Sequence, residues 1–401
     1  MRRRDFIRSL LAVPVVGAGM SLPGSLAWAN TSADSGRRIP LVVIFQRGGC
    51  DGLNTIVPYG DPRYAALRPN LAIAPPGETD GCLDLDGFFG LHPALDSLMP
   101  LYQSGKLALL PTVQYPNATR SHFAGEVLIE GGSVTEQEDG WLNRYLTTVA
   151  GTGTLRGATV GRALDYALKG GFDAPVITTR SGAFWGDQET FLQNLRQVNE
   201  SDSGTGLRRK VSQATLQGLD LLDILPPLDS GNGVSYPNSD LGQKLQRLSQ
   251  IIKADLGLEV ATVDSTGWDT HVGQGSTTGK HPGQLKDFAR SISTFYQDIL
   301  DSGREVMILT MTEFGRTARE NGSKGTDHGH AGTWMVLGES VNGGIYGDWP
   351  GLEDDQLYEG RYLAHTVDFR DVMGEILVRH LGVANPAGIL NGHVYQPVGF
   401  L

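Results

Sequence analysis

Cysteine is scarce in this 401-residue chain, with Cys50 and Cys82 as the whole supply. A scaffold stapled by several disulfides and a cysteine-rich metal cluster are both excluded. In an oxidising compartment the two can pair, across thirty-one intervening residues. The alternative is Cys50 as a catalytic thiol, although nothing in the sequence places a base beside it. Long apolar runs are also missing beyond the N-terminal segment, so no later stretch reads as a membrane span. No internal repeat is visible. Basic residues are in deficit, 33 Lys and Arg against 44 Asp and Glu, for a net charge of -11. That balance argues against nucleic acid and anionic lipid as partners. It leaves room for a small anionic substrate, because a local metal inverts the field.

What is present begins with Arg2-Arg3-Arg4-Asp5-Phe6-Ile7-Arg8, followed by an apolar stretch from Leu10 to about Leu26 and then Ala27-Trp28-Ala29. A basic cluster, an apolar region and an A-x-A site make an export signal, with cleavage expected before Asn30. The paired arginines mark the twin-arginine type. Pro14, Gly17, Gly19, Pro23 and Gly24 interrupt the apolar stretch, and no basic stop-transfer flank follows, which weighs against an anchor. Residues 1–29 are therefore expected to be a signal peptide and 30–401 a single mature domain. Its partners would be the twin-arginine translocase and signal peptidase, and its location periplasmic or secreted. Without the leader, which carries four arginines and one aspartate, the charge is near -14.

Short apolar runs alternate with amphipathic segments. Leu41 to Phe45, Leu107 to Val113, Glu259 to Val263, Val306 to Met311 and Trp334 to Leu337 read as buried strands. Strands apolar on both faces belong to a parallel sheet covered by helices. Helices are expected over Pro93 to Gln103, Asp240 to Leu256, Gln284 to Leu300 and Phe369 to Leu381, from apolar positions at helical spacing. The alternation predicts an α/β/α sandwich with a mostly parallel sheet. Residues 151–232 read as a candidate insertion or cap.

In such sheets ligands bind beyond the carboxyl ends of the strands. After the first strand comes Arg47-Gly48-Gly49-Cys50-Asp51-Gly52-Leu53-Asn54. After the second comes Thr119-Arg120-Ser121-His122-Phe123, opening a helix. Gly267-Trp268-Asp269-Thr270-His271 follows the third. Thr312-Glu313-Phe314-Gly315-Arg316 and Gly325-Thr326-Asp327-His328-Gly329-His330 follow the fourth. Acids and imidazoles converging from separate strands suit one or two divalent metal ions. The candidate ligands are Asp51, Asp269, His271, Glu313, Asp327, His328 and His330, with His365 from a last strand. Ser121 stands where a helix begins, as an N-cap or as a nucleophile meeting the helix N-terminus. Thr119 rivals it, and Arg120 and Arg316 could form a fork for an anion. His92 and His380 read as structural, His281 as ambiguous, and His393 tells little.

These runs, together with Val57-Pro58-Tyr59 and Asp61-Pro62, resemble the motifs of the DUF1501 family, in order and over essentially the whole mature chain. The family in turn resembles, distantly, the alkaline phosphatase and sulfatase superfamily. The resemblance implies an alkaline phosphatase-like sandwich and metal-assisted hydrolysis of phosphate or sulfate esters. It implies Asp51 as the first-strand ligand and Ser121 or Thr119 as nucleophile. Asp269 with His271 would be a second ligand pair, and Asp327-His328 the late pair. Three departures stand out. Glu313 holds the strand end where the late pair usually sits, the sulfatase nucleophile motif is absent, and the middle pair is spaced Asp-x-His. Two function classes follow, an exported metal-dependent hydrolase and a non-enzymatic envelope protein that keeps the fold to bind a partner.

Overall fold

The computed structural model describes residues 38–179, 188–202, 204–227 and 233–401. The leader expected over 1–29 lies outside them. Two compact units divide the chain. One holds Ile39–Thr179 with Pro227–Leu401, and the other includes Arg180–Pro226.

The larger unit is a mixed α/β structure around a nine-stranded, mostly parallel sheet, as the apolar runs predict. Its strands are β1 Leu41–Arg47, β2 Leu107–Gln114, β3 Gly157–Val160, β4 Val176–Ile177, β5 Val260–Thr266, β6 Met307–Met311, β7 Gly332–Leu337, β8 Gly344–Ile345 and β9 Val367–Asp368. The order is β8-β2-β7-β6-β1-β5-β3-β4, with β9 also on β2. β1 sits at the centre, parallel to β5 and β6, with Leu41 opposite both Val260 and Met307. Both faces of β1 are buried from Leu41 to Phe45. That is why its sequence shows no alternation.

β7 departs from the expectation. It runs antiparallel to both its neighbours, β2 and β6. An apolar run does not encode direction, and here the direction matters. The start of an antiparallel strand lies where its parallel neighbours end. Residues 325–331, just before β7, therefore reach the same sheet edge as the loops that leave β1, β2, β5 and β6.

Helix α1 spans His122–Glu130 and α2 spans Trp141–Thr148. α3 covers Asp240–Lys253, capped by Ser239 Oγ accepting from the Gly242 amide at 3.0 Å. It stops where Asp255 and Gly257 take positive φ, short of the expected Leu256. α4 covers Lys280–Asp301 and starts before the expected Gln284. Pro282 fits its first turn, where amides lack helical partners anyway. Its stripe of Leu285, Phe288, Ile292, Phe295, Tyr296 and Ile299 is buried, and α3 packs on it. The expected helix at Pro93 to Gln103 is a 3-10 stretch, Pro93–Leu98, followed by the short helix Met99–Gln103. Pro100 cannot donate the bond that would make them continuous. The closing helix α5, Phe369–Glu375, passes into a π turn over Ile376–His380.

The stretch Gly151 to Thr179 contributes β3 and β4 to the sheet. The second unit contains two helices, Gln188–Glu200 and Gly206–Ile224. Arg196 joins them by ion pairs to Asp220 at 2.5 Å and Asp223 at 2.8 Å. Cys50 and Cys82 are both buried and unbonded, so the expected pairing option is not used. Burial pushes the Cys50 thiol up to about 12, far from the reactive thiolate a nucleophile needs.

Candidate metal centre

The loops beyond β1 and β5 are pressed together. Gly48 sits at φ 117°, and a side chain there would meet the Asp269 amide at 2.6 Å. Only glycine allows that approach. Arg316 locks the same junction. It is buried, and its guanidinium donates to the carbonyls of Gly48, Gly49, Trp268 and Thr326. Its Nη2 also donates to Asp269 Oδ1 at 2.7 Å. The fork expected for an anion is thus a clamp, because every arm of Arg316 is spent on backbone and on Asp269.

At this junction His122, Asp269 and His328 come together, with ligand atoms all within 4.8 Å of one another. His122 is the first residue of α1, and His328 precedes β7. Their rings meet edge to face with centroids 4.2 Å apart. His122 Nε2 lies 3.7 Å from Asp269 Oδ2, and His328 Nε2 lies 3.7 Å from Asp269 Oδ1. Neither Nε2 has a hydrogen-bond partner, although both atoms are buried. Buried polar atoms are normally satisfied, so two orphans facing one carboxylate mark a place for a ligand. Donor atoms bound to one ion at about 2.0–2.2 Å lie roughly 3–4 Å apart, which suits these spacings.

The second nitrogens are fixed from outside. His122 Nδ1 donates to Glu313 Oε1 at 2.6 Å, and His328 Nδ1 to the Arg120 carbonyl at 2.7 Å. Both bonds leave the Nε2 lone pair free, as for metal-bound imidazoles whose other N–H is held by a carboxylate or carbonyl. The hydrogen bond to Glu313 raises the His122 pKa, while burial lowers that of His328. Burial works against ionisation of Asp269. The hydrogen bond and charge of Arg316, with His271 and His122, outweigh it and hold the carboxyl below its usual range.

His271 flanks the group. Its Nε2 is 3.0 Å from Asp269 Oδ1 and its Nδ1 is 2.9 Å from Asp327 Oδ1. Asp327 also accepts from Asn321 Nδ2 at 3.0 Å. That bond and His271 hold its pKa down. Glu313 is buried and engaged on both oxygens. Oε1 accepts from the Gly48 amide at 2.8 Å as well as from His122, and Oε2 from Thr312 Oγ1 at 3.0 Å. Glu313 and Asp327 thus orient imidazoles.

Other candidates fall elsewhere. Asp51 is buried against Arg68, with Oδ2 2.6 Å from Arg68 Nη1 and 2.5 Å from Gln274 Nε2. His330 Nε2 is 2.8 Å from His365 Nδ1, and its ring stacks on Tyr358 with centroids 4.0 Å apart. Ser121 precedes α1 in extended conformation, and its side chain makes no capping bond. Thr119 Oγ1 accepts from the Ser121 amide at 3.2 Å. Arg120 pairs with Glu359 at 3.1 Å. His122 is the residue that sequence reasoning missed. The signal was its place next to Ser121 in the Arg120–Phe123 run.

The molecule is therefore a mixed α/β protein with an imidazole–carboxylate centre beyond the carboxyl ends of its parallel strands. The sequence profile described as "Protein of unknown function (DUF1501)" matches residues 110–394, and the chain belongs to that family. The run Arg47 to Asn54 lies before the match. No curated protein matches the chain. Among solved structures it is similar to the C-terminal periplasmic domain of EcEptC from Escherichia coli, with 7% identity, TM-score 0.41, and coverage of 86% of this chain and 83% of that one. It is similar to the soluble domain of lipooligosaccharide phosphoethanolamine transferase A from Neisseria meningitidis, with 10% identity, TM-score 0.37, and coverage of 90% and 92%. Alkaline phosphatase from the Antarctic bacterium TAB5 matches with 11% identity, TM-score 0.35, and coverage of 88% and 99%. At such identities nothing about chemistry passes from them to this chain.

Proposed function

We propose that this chain is an exported, metal-dependent hydrolase of phosphate or sulfate esters. The observation that carries the reading is the pair of buried, partnerless Nε2 atoms of His122 and His328 facing Asp269. Two imidazoles and a carboxylate suit a first-row divalent ion such as zinc, iron or manganese. Bound there, the ion would supply Lewis acidity and a lowered pKa for water.

The chain's own groups have separate tasks. Glu313 and the Arg120 carbonyl hold the two rings so that Nε2 points inward. Arg316 fixes Asp269 and, with it, the loop after β5. His271 bridges Asp269 and Asp327 and would carry a proton between them. Ser121 offers an uncapped hydroxyl at the start of α1, beside His122. It is the candidate nucleophile, with Thr119 behind it. Attack by that hydroxyl would form an Oγ–P or Oγ–S bond as the ester P–O or S–O bond breaks, the alcohol leaving with the hydroxyl's proton, and water would then cleave the seryl ester to restore the hydroxyl; direct attack by water would give acid and alcohol in one step.

The test is an ester screen on protein purified without chelator. Aryl and alkyl phosphates and sulfates are offered before and after chelation. Turnover of at least one class, lost on chelation and in His122→Ala, is the expected result. A folded, metal-loaded protein that turns over none of them favours the second class, an envelope binding or accessory protein.

A further inference from the structure

We propose that Arg47 and the four carboxylates around it form a proton-dependent lock, which grips α1 while the carboxylates share protons. The inference is independent of the ester chemistry. Arg47 ends β1, directly before Gly48. Its Nη1 lies 3.0 Å from Glu126 Oε2 and 3.0 Å from Glu130 Oε2, both on α1. Its Nη2 lies 3.1 Å from Asp165 Oδ1, and its Nε 2.5 Å from Asp264 Oδ1 on β5. One guanidinium thus joins α1, the loop after β3 and two strands of the sheet. Lys244 of α3 sets its Nζ 2.9 Å from the Asp264 carbonyl and 2.6 Å from Asp240 Oδ2, so its charge is paired outside the group. Glu313, just past β6, adds a further negative charge.

One cation faces four acids, and the side chains of Glu130 and Asp165 are only 3% and 5% exposed. Glu126 and Glu130 meet at the same nitrogen. Carboxylates crowded together away from water cannot all ionise. Burial pushes Glu126 up to about 7, against the pull of Arg47 and with the added push of Glu313, Glu130 and Asp264. Burial also raises Glu130, and it raises Asp165 well above its usual range, where Asp264 and Glu130 add to it. The same carboxylates hold Arg47 in its charged form, although burial opposes it. The cation therefore stays, and the acids keep protons. A carboxyl raised in the locked state binds its proton better there than in an open state. The grip from Glu126 is complete below its ordinary value of 4.5 and is lost as the pH rises through about 7. Because α1 starts at His122, the same grip seats one side of the metal centre.

The experiment uses the full chain. Infrared difference spectra at pH 6, where ordinary carboxyls are ionised, should show protonated-carboxyl absorption that weakens in Glu126→Gln and in Asp165→Asn. Hydrogen exchange of the α1 amides, corrected for intrinsic rates, reads the grip. Protection of α1 in the unmodified protein should fall on the order of 100-fold between pH 5 and pH 8. Glu126→Gln should flatten that fall. No protonated-carboxyl absorption at pH 6, or α1 protection that ignores pH, overturns the inference. Both are read on the unmodified protein, whether or not a variant folds. Millimolar calcium that restores α1 protection at pH 8, but not in Glu126→Gln, would make the acids a cation site and overturn it too.

Discussion

Glu313 accepts a hydrogen bond from His122 Nδ1 at 2.6 Å, across 191 residues of chain. The bond couples the end of β6 to the start of α1. It also chooses the tautomer that turns Nε2 toward Asp269. Glu313→Gln keeps the shape but loses the charged acceptor. Metal affinity should fall about tenfold, the low end for losing such an orienting partner. A competition titration with a chromogenic chelator reads it, and unchanged affinity would remove Glu313 from the account.

Asp51 and Arg68 form an ion pair sealed from solvent, with side chains 1% and 0% exposed. Burial resists ionisation of Asp51, and the charge and hydrogen bonds of Arg68 outweigh it. Asp51→Ala leaves a buried guanidinium unpaired and should cost about 3–5 kcal/mol. Urea unfolding measures this. The folded Asp51→Asn variant should still bind its metal, because Asp51 is held through Oδ2 by Arg68 and Gln274 and its carboxylate is not among the ligand atoms that gather with His122, Asp269 and His328.

His281 predicts an acid sensitivity. It is wholly buried with neither ring nitrogen partnered, and burial pushes its pKa from 6.5 down to about 3. The unfolded chain therefore binds this proton more readily than the folded one. Stability tied to His281 is complete above about pH 6.5 and is lost progressively toward pH 3. His281→Leu should make the unfolding free energy fall less steeply between those limits. An identical slope would contradict the assignment.

The proposed export signal gives a prediction of its own. Exported protein should begin at Asn30 by intact mass, and replacing Arg3 and Arg4 with lysine should stop its appearance outside the cytoplasm.

Much of this was legible in the residues. The five apolar runs gave strands because their burial on both faces leaves a composition that no surface segment shares. The motifs after β1, β2, β5 and β6 reach one edge because parallel strands all end there. The direction of β7 was not legible, since apolar content is blind to it. Yet that direction is what carries His328 to His122. The partner of Asp51 was hidden for a related reason. Arg68 lies in an unremarked segment after the short helix Pro62–Leu67, and only the fold turns it inward. Ser121 drew the attention that belonged to its neighbour, because a hydroxyl at a helix start is a local signal. The role of His122 depends on Glu313, a contact made only in three dimensions.

Metal content of the purified protein tests the central claim most directly. Elemental analysis without chelator should find one equivalent of a divalent transition metal. It should be lost in His122→Ala and in Asp269→Ala and kept in the folded Asp51→Asn variant. Protein that holds no metal even after soaking, or that keeps it without His122 and Asp269, contradicts the account.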